Sequence, residues 1–77
     1  MDDAPVVLST ALKHGVDESD ILHALRNSIF SVSQTDGMEM YVGPDQAGQL
    51  IEVGVVEWYG VLAIPHSMRP VRAKYLR

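Results

Sequence analysis

Apolar residues along this chain change spacing several times, and each change marks a candidate element. Val7, Leu8, Ala11 and Leu12 recur at helical spacing and make one apolar face. Pro5 suits the first turn of a helix, where its missing N–H would have no partner, and Gly15 suits the left-handed conformation that ends one. A first helix is expected over residues 5–14, after four residues that should fray. Asp17 then reads as an N-cap, with Asp20 three residues on and Val16 and Ile21 placed as a hydrophobic staple. A second helix should follow over residues 17–27, burying Ile21, Leu22, Ala24 and Leu25, with His14 and His23 toward solvent.

Beyond residue 28 the apolar pattern shortens to that of strands. Residues 29–33 read as a short edge strand and residues 38–42 as a firmer one, with Met38 and Met40 as packing residues. Gly43, Pro44, Asp45 and Gly48 mark a loop before a long strand over residues 49–58. A last strand over residues 61–66 returns across the Trp58, Tyr59, Gly60 turn and ends at Pro65, since proline cannot donate to a ladder. Ser67 would then cap a short basic helix with Pro70 in its first turn and Val71 and Tyr75 packed on the sheet. The fold class is α+β: two N-terminal helices, a three- to four-stranded antiparallel sheet and a short C-terminal helix, in one domain over residues 1–77.

The hairpin register bears on chemistry, because a slip of one residue exchanges the faces of every side chain. A two-residue turn at Tyr59 and Gly60 would set His66 beside Val53. A three-residue loop with Gly60 in the bulge position would pair Val56 with Leu62, Gly54 with Ile64 and Glu52 with His66. The second is preferred, since it keeps Ile51, Val53 and Val55 under the helices and Glu52 and His66 on the other face. A ladder pairing Trp58 with Val61 would contradict it.

Composition narrows the picture. Seventy-seven residues allow one small domain that buries about 60–65% of its unfolded surface, so a partner is a reasonable source of added stability. With no cysteine there is neither a disulfide nor a thiolate metal site, which fits a reducing compartment. The hydrophobic share of 47% and charged share of 21% are those of a folding chain. Neither a secretory leader nor a bilayer-spanning apolar run is recognisable, which predicts a cytoplasmic protein without a membrane partner.

Charge is unevenly distributed. The net charge of −4 conceals a segment, residues 61–77, with no acidic residue and four of the six basic ones: Arg69, Arg72, Lys74 and Arg77. All ten carboxylates precede it, against only Lys13 and Arg26. A phosphate backbone meets this local field rather than the total.

His66, Arg69, Arg72, Lys74 and Tyr75 therefore form the candidate site. A guanidinium grips phosphate oxygens bidentately, and an imidazole exchanges protons near neutral pH. Metal-independent RNA cleavage needs a base for the 2′-OH, cations for the phosphorus and an acid for the leaving oxygen. His66 and Glu52 are candidate acid and base. The same residues also have ordinary uses: His66 as a hydrogen-bonded strand end, Glu52 and Glu57 as solvated carboxylates, the cations as complements to the acidic remainder. Trp58 and Tyr59 are candidate base-stacking residues or a hairpin tip. His14 and His23 lack metal-ligand spacing, so no metal site is expected. The two N-terminal helices also have the order of a helix-turn-helix, but Asp17, Glu18 and Asp20 would face phosphates with like charge, so DNA contact is expected only through a partner.

The order of these features, two helices joined through LKHGV, a GPDQAGQLIEV hairpin arm and a closing strand with a basic segment, resembles the BrnT-type toxins of the RelE and ParE superfamily. The matching pieces are residues 13–16, 42–56 and 64–75. The resemblance implies a toxin-antitoxin toxin: a small ribonuclease acting on mRNA without metal or cofactor and silenced by a cognate antitoxin. It carries cationic or polar roles onto Lys13, Arg69, Arg72 and Tyr75, giving catalytic candidates His66, Glu52, Arg69 and Tyr75 and RNA-binding candidates Lys13, Arg69, Arg72 and Lys74. Two positions depart from the family pattern. Glu18 stands where an aromatic residue commonly follows KHG, and His66, Ser67, Met68 stand for Ser-Ala-Arg, with Arg69 one place later. The alternative is a non-catalytic interaction module that binds an acidic partner through the basic C-terminal helix.

Overall fold

A computed structural model describes residues 5–76; the expected fraying of residues 1–4 lies outside the described residues, as does Arg77. The order is β1 (Val6–Val7), a 3-10 turn (Ser9–Leu12), α1 (Glu18–Arg26), β2 (Phe30–Ser33), β3 (Glu39–Pro44), β4 (Leu50–Trp58), β5 (Val61–Met68) and a second 3-10 turn (Ala73–Tyr75). The strands form one five-stranded sheet ordered β1-β5-β4-β3-β2, in which β1 runs parallel to β5 and every other pair is antiparallel. The fold is α+β as expected, but the expected first helix, the purely antiparallel three- to four-stranded sheet and the C-terminal helix are each corrected.

The first correction concerns residues 5–14. Val6 and Val7 extend and pair with Ala63 and Ile64, and the Leu8 N–H continues the ladder to the Ile64 carbonyl at 3.0 Å. β-branched residues favour a pleated strand. Ala11, fully buried, plugs the core from the 3-10 turn. Without that helix there is no helix-turn-helix. The second helix meets its expectation: the Asp17 carboxylate accepts from the Asp20 N–H at 2.9 Å, and Glu18 and Asp20 lie in the first turn.

α1 packs on β3 and β4, where Ile21 and Ala24 join Ala11, Val16, Ile51, Val53, Val55 and Ile64 in the larger core. Gly43 allows this closeness, because a Cβ there would run into the Ala24 carbonyl oxygen. The opposite face of the sheet carries a second cluster in which Met40 and Val42 meet Val71 and Tyr75, with Met38 and Leu50 alongside. The C-terminal segment is thus a strap across this face. Its Val71 N–H donates to the Leu50 carbonyl at 3.0 Å.

The C-terminal correction follows from β5, which runs to Met68 rather than stopping at His66. Ser67 does not cap a helix; it is fully buried in the strand and its hydroxyl donates to the Ala11 carbonyl at 2.7 Å. A cis Arg69–Pro70 peptide and the Ala73–Tyr75 turn stand where the basic helix was expected.

The preferred hairpin register is also overturned: Trp58 pairs with Val61, across a two-residue turn in which Tyr59 and Gly60 have φ of 53° and 78°. Positive φ at both central positions is the tight hairpin geometry that matches strand twist. The register then shifts, Val56 facing Ala63 but Gly54 facing His66, so that Ile64 and Pro65 together oppose Val55. This bulge accommodates Pro65 inside a strand and restores the parity that puts Glu52 and His66 on one face.

Candidate functional site

Glu52 lies near the start of β4 on the strap side of the sheet and is fully buried. A buried carboxylate is costly unless its oxygens are matched by donors. Here the strap supplies them. Arg72 donates from its backbone N–H at 2.8 Å and from Nη2 at 2.6 Å, with Nε 3.0 Å from Oε2, while His66 Nε2 lies 2.8 Å from the same oxygen. Burial opposes ionisation of Glu52, but the Arg72 side-chain and backbone hydrogen bonds, the His66 bond and the Arg72 charge outweigh it and hold the carboxyl below its ordinary value. The Glu52 hydrogen bonds in turn raise the Arg72 guanidinium, against its own desolvation.

This fixes the orientation of His66. An ionised Glu52 only accepts and Arg72 only donates, so the Nε2 of a neutral His66 must carry the hydrogen that points at Glu52. Nδ1 is then left with its lone pair. The Arg72 Nη2 contact at 3.5 Å is no hydrogen bond in that tautomer. His66, with 19% of its side chain exposed, is the accessible member of the pair.

His66 and Arg72 form one wall of an open cleft of about 250 Å3, faced by Gln34, Asp36, Met38 and Tyr75. Gly54 lets two of the cleft residues pack against β4, since a Cβ there would strike the Met38 sulfur and come within 3.3 Å of the His66 Cβ. Lys74 also lines the cleft, with Nζ 5.2 Å from the centre of the Tyr75 ring. It forms no ion pair among the described residues. Tyr75 is buried, and its hydroxyl donates to Gln34 Oε1 at 3.3 Å.

The expected site residues do not all come together. His66, Glu52, Arg72, Lys74 and Tyr75 come together around the cleft. Arg69 does not join them: its Nε donates to Asp45 at 2.9 Å and its Nη2 to Asp20 at 2.8 Å, so it ties β5 to α1 and to the loop after β3. Desolvation would lower the Arg69 guanidinium, but hydrogen bonds to Asp45 and Asp20 and their charges raise it. Lys13 is exposed at the end of the first 3-10 turn and does not line the cleft. Trp58 and Tyr59, 67% and 90% exposed, form the hairpin tip.

Sequence reasoning missed His14. Its ring centroid lies 5.9 Å from that of His66, edge to face at 74°. It also missed Gln34 and Asp36 as cleft walls. The two histidines are far apart in sequence and meet only because β1 pairs with β5, which a single sequence does not signal. His23 is part-buried, donating from Nδ1 to the Pro44 carbonyl at 2.9 Å. Among the described residues no three histidine or carboxylate side chains converge as a metal-ligand set, and no helix is long and apolar enough to cross a membrane.

No protein-family model, no curated protein and no solved structure matches this chain.

Proposed function

We propose that the chain is a cytoplasmic toxin of the RelE and BrnT kind that cleaves mRNA by proton transfer, with His66 as the base and Glu52 as the residue that positions it. The observation that carries this reading is the buried, ionised carboxylate holding His66 Nε2 at 2.8 Å beside an open cleft. A carboxylate that orients an imidazole and supports its protonated form is the arrangement by which a histidine becomes an efficient general base.

His66 Nδ1 takes the proton of a ribose 2′-OH as the 2′-oxygen bonds to phosphorus. The P–O5′ bond breaks with its electron pair on O5′, which takes a proton from an acid. The products are a 2′,3′-cyclic phosphate and a 5′-hydroxyl. The exposed part of Arg72 and Lys74, which forms no ion pair among the described residues, supply positive charge for the phosphate oxygens, in place of Arg69. Glu52 touches no substrate, being fully buried. A cognate antitoxin would silence the protein by covering the cleft.

Induced expression in a bacterial host tests this reading. Wild type should arrest growth and leave cellular transcripts with new 5′-hydroxyl ends, and His66→Ala, shown to be folded by circular dichroism, should do neither. Growth arrest by both proteins alike, without new transcript ends, would contradict it.

A further inference from the structure

Cleavage of this kind needs a proton donor for the departing 5′-oxygen, and the cleft groups already carry other work, Lys74 and the exposed part of Arg72 facing the phosphate oxygens. Tyr75 is buried with its hydroxyl engaged by Gln34, Glu52 is ionised, and Arg72 is a guanidinium that does not give up its proton. His14 is different. It is exposed, it forms no hydrogen bond through its ring among the described residues, and its ring stands 5.9 Å from that of His66. Resting on the reading above, we propose that His14 is the general acid that protonates the 5′-leaving oxygen while His66 takes the 2′-proton.

The geometry suits the division of labour. In an in-line displacement the entering and leaving oxygens lie on opposite sides of one phosphorus. A proton donor or acceptor must come within about 2.6–3.2 Å of its oxygen. Two imidazoles with ring centres 5.9 Å apart bring two proton-carrying groups to one phosphate. His66 is held by Glu52 through Nε2 and offers the Nδ1 lone pair, whereas the His14 ring is exposed and held by no hydrogen bond among the described residues. His66 belongs to both groups, being a cleft wall and the neighbour of His14. An RNA strand would therefore hold one nucleotide in the cleft, present its phosphate at His66 and release the next nucleotide toward His14.

The mass balance closes without an added reagent. The proton lost by the 2′-OH is kept by His66, the proton gained by O5′ comes from His14, and exchange with water restores both.

The test uses an oligoribonucleotide at the site wild type cuts and a second copy in which sulfur replaces the bridging 5′-oxygen there. A thiolate leaves without being protonated, so it relieves the need for the acid but not for the base. His14→Ala should cut the oxygen substrate about 100- to 10,000-fold more slowly than wild type and recover most of the loss on the sulfur substrate, with the acid-requiring limb of its pH profile gone. His66→Ala should be slow on both. Equal loss on both substrates, or a His14→Ala rate like wild type, would overturn the role of His14 while leaving His66 as the base. Failure of wild type to cut either substrate overturns both proposals.

Discussion

His66 Nε2 lies 2.8 Å from Glu52 Oε2 although neither is the other's cross-strand partner: Glu52 faces Met68 and His66 faces Gly54. The pair meets diagonally because one extra residue on β5 opposes Val55 and turns His66 back to the strap side. What keeps the carboxylate charged in a buried place is Arg72. Removing the guanidinium in Arg72→Ala leaves Glu52 with the backbone N–H and His66 alone, which should cost about 2–3 kcal/mol of stability. The loss is smaller than for a fully buried pair because the Arg72 side chain is 41% exposed. Arg72→Lys should recover less than half of the loss, since an ammonium cannot reproduce the forked contact. Urea denaturation of the three proteins at neutral pH measures this.

The same carboxyl gives the fold an acid-sensitive component. Glu52 has a folded-state pKa below its ordinary 4.5, so it binds protons more readily unfolded, and its stabilisation is complete above that value. Stability should fall as pH drops below about 4.5 and continue to fall through the lower folded-state value. Glu39, lowered by hydrogen bonds from Ser31 and Ser33, and Asp20, lowered chiefly by the Gln46 backbone N–H, contribute with the same sign. In Glu52→Gln the urea midpoint should decline less steeply over this range than in wild type, from a lower starting stability at neutral pH.

Two glycines should respond differently to alanine. At Gly43 a Cβ meets the Ala24 carbonyl and comes within 3.0 Å of the Ser28 Cα, so helix backbone must move; a loss of about 3 kcal/mol or more is expected. At Gly54 the obstacle is mainly the flexible Met38 side chain, so the loss should be about 1 kcal/mol. Thermal melts of Gly43→Ala and Gly54→Ala decide this, and similar values for both would contradict the packing described for α1.

Arg69 and Lys74 separate structural from ligand-facing charge. Arg69→Ala breaks the ties to Asp20 and Asp45 and should lower the melting temperature while leaving the KM for RNA within about twofold, as expected for a cation already spent inside the fold. Lys74→Ala should leave the melt unchanged and raise KM several-fold, with a shallower dependence on salt. Melting curves and RNA-cleavage kinetics at two salt concentrations separate these outcomes.

Part of this architecture is legible in the sequence because local rules and tertiary packing agree. Asp17 caps α1 by its own chemistry, and Ile51, Val53 and Val55 alternate along β4 as one row facing the larger core. Where local rules point one way and pairing another, the reading fails. Val6 and Val7 fit the start of a helix until β5 offers an unpaired edge, and Pro65 reads as a strand end until a bulge absorbs it. Of the site, His66, Arg72, Lys74 and Tyr75 are legible because they fall in one basic segment, whereas Glu52 entered through a hairpin pairing that the structure replaces. The withdrawal of Arg69 is not legible, because it depends on Asp20 and Asp45 converging from two other elements. His14 is invisible for the same reason.

The claim that the Glu52–His66 pair is a proton-transfer site for RNA is tested most directly by incubating single-stranded RNA with purified protein in excess EDTA. Wild type should cleave it to 2′,3′-cyclic phosphate and 5′-hydroxyl ends, and folded His66→Ala should be slower by about 100-fold or more. Intact RNA with wild type, or equal cleavage by wild type and His66→Ala, would contradict it.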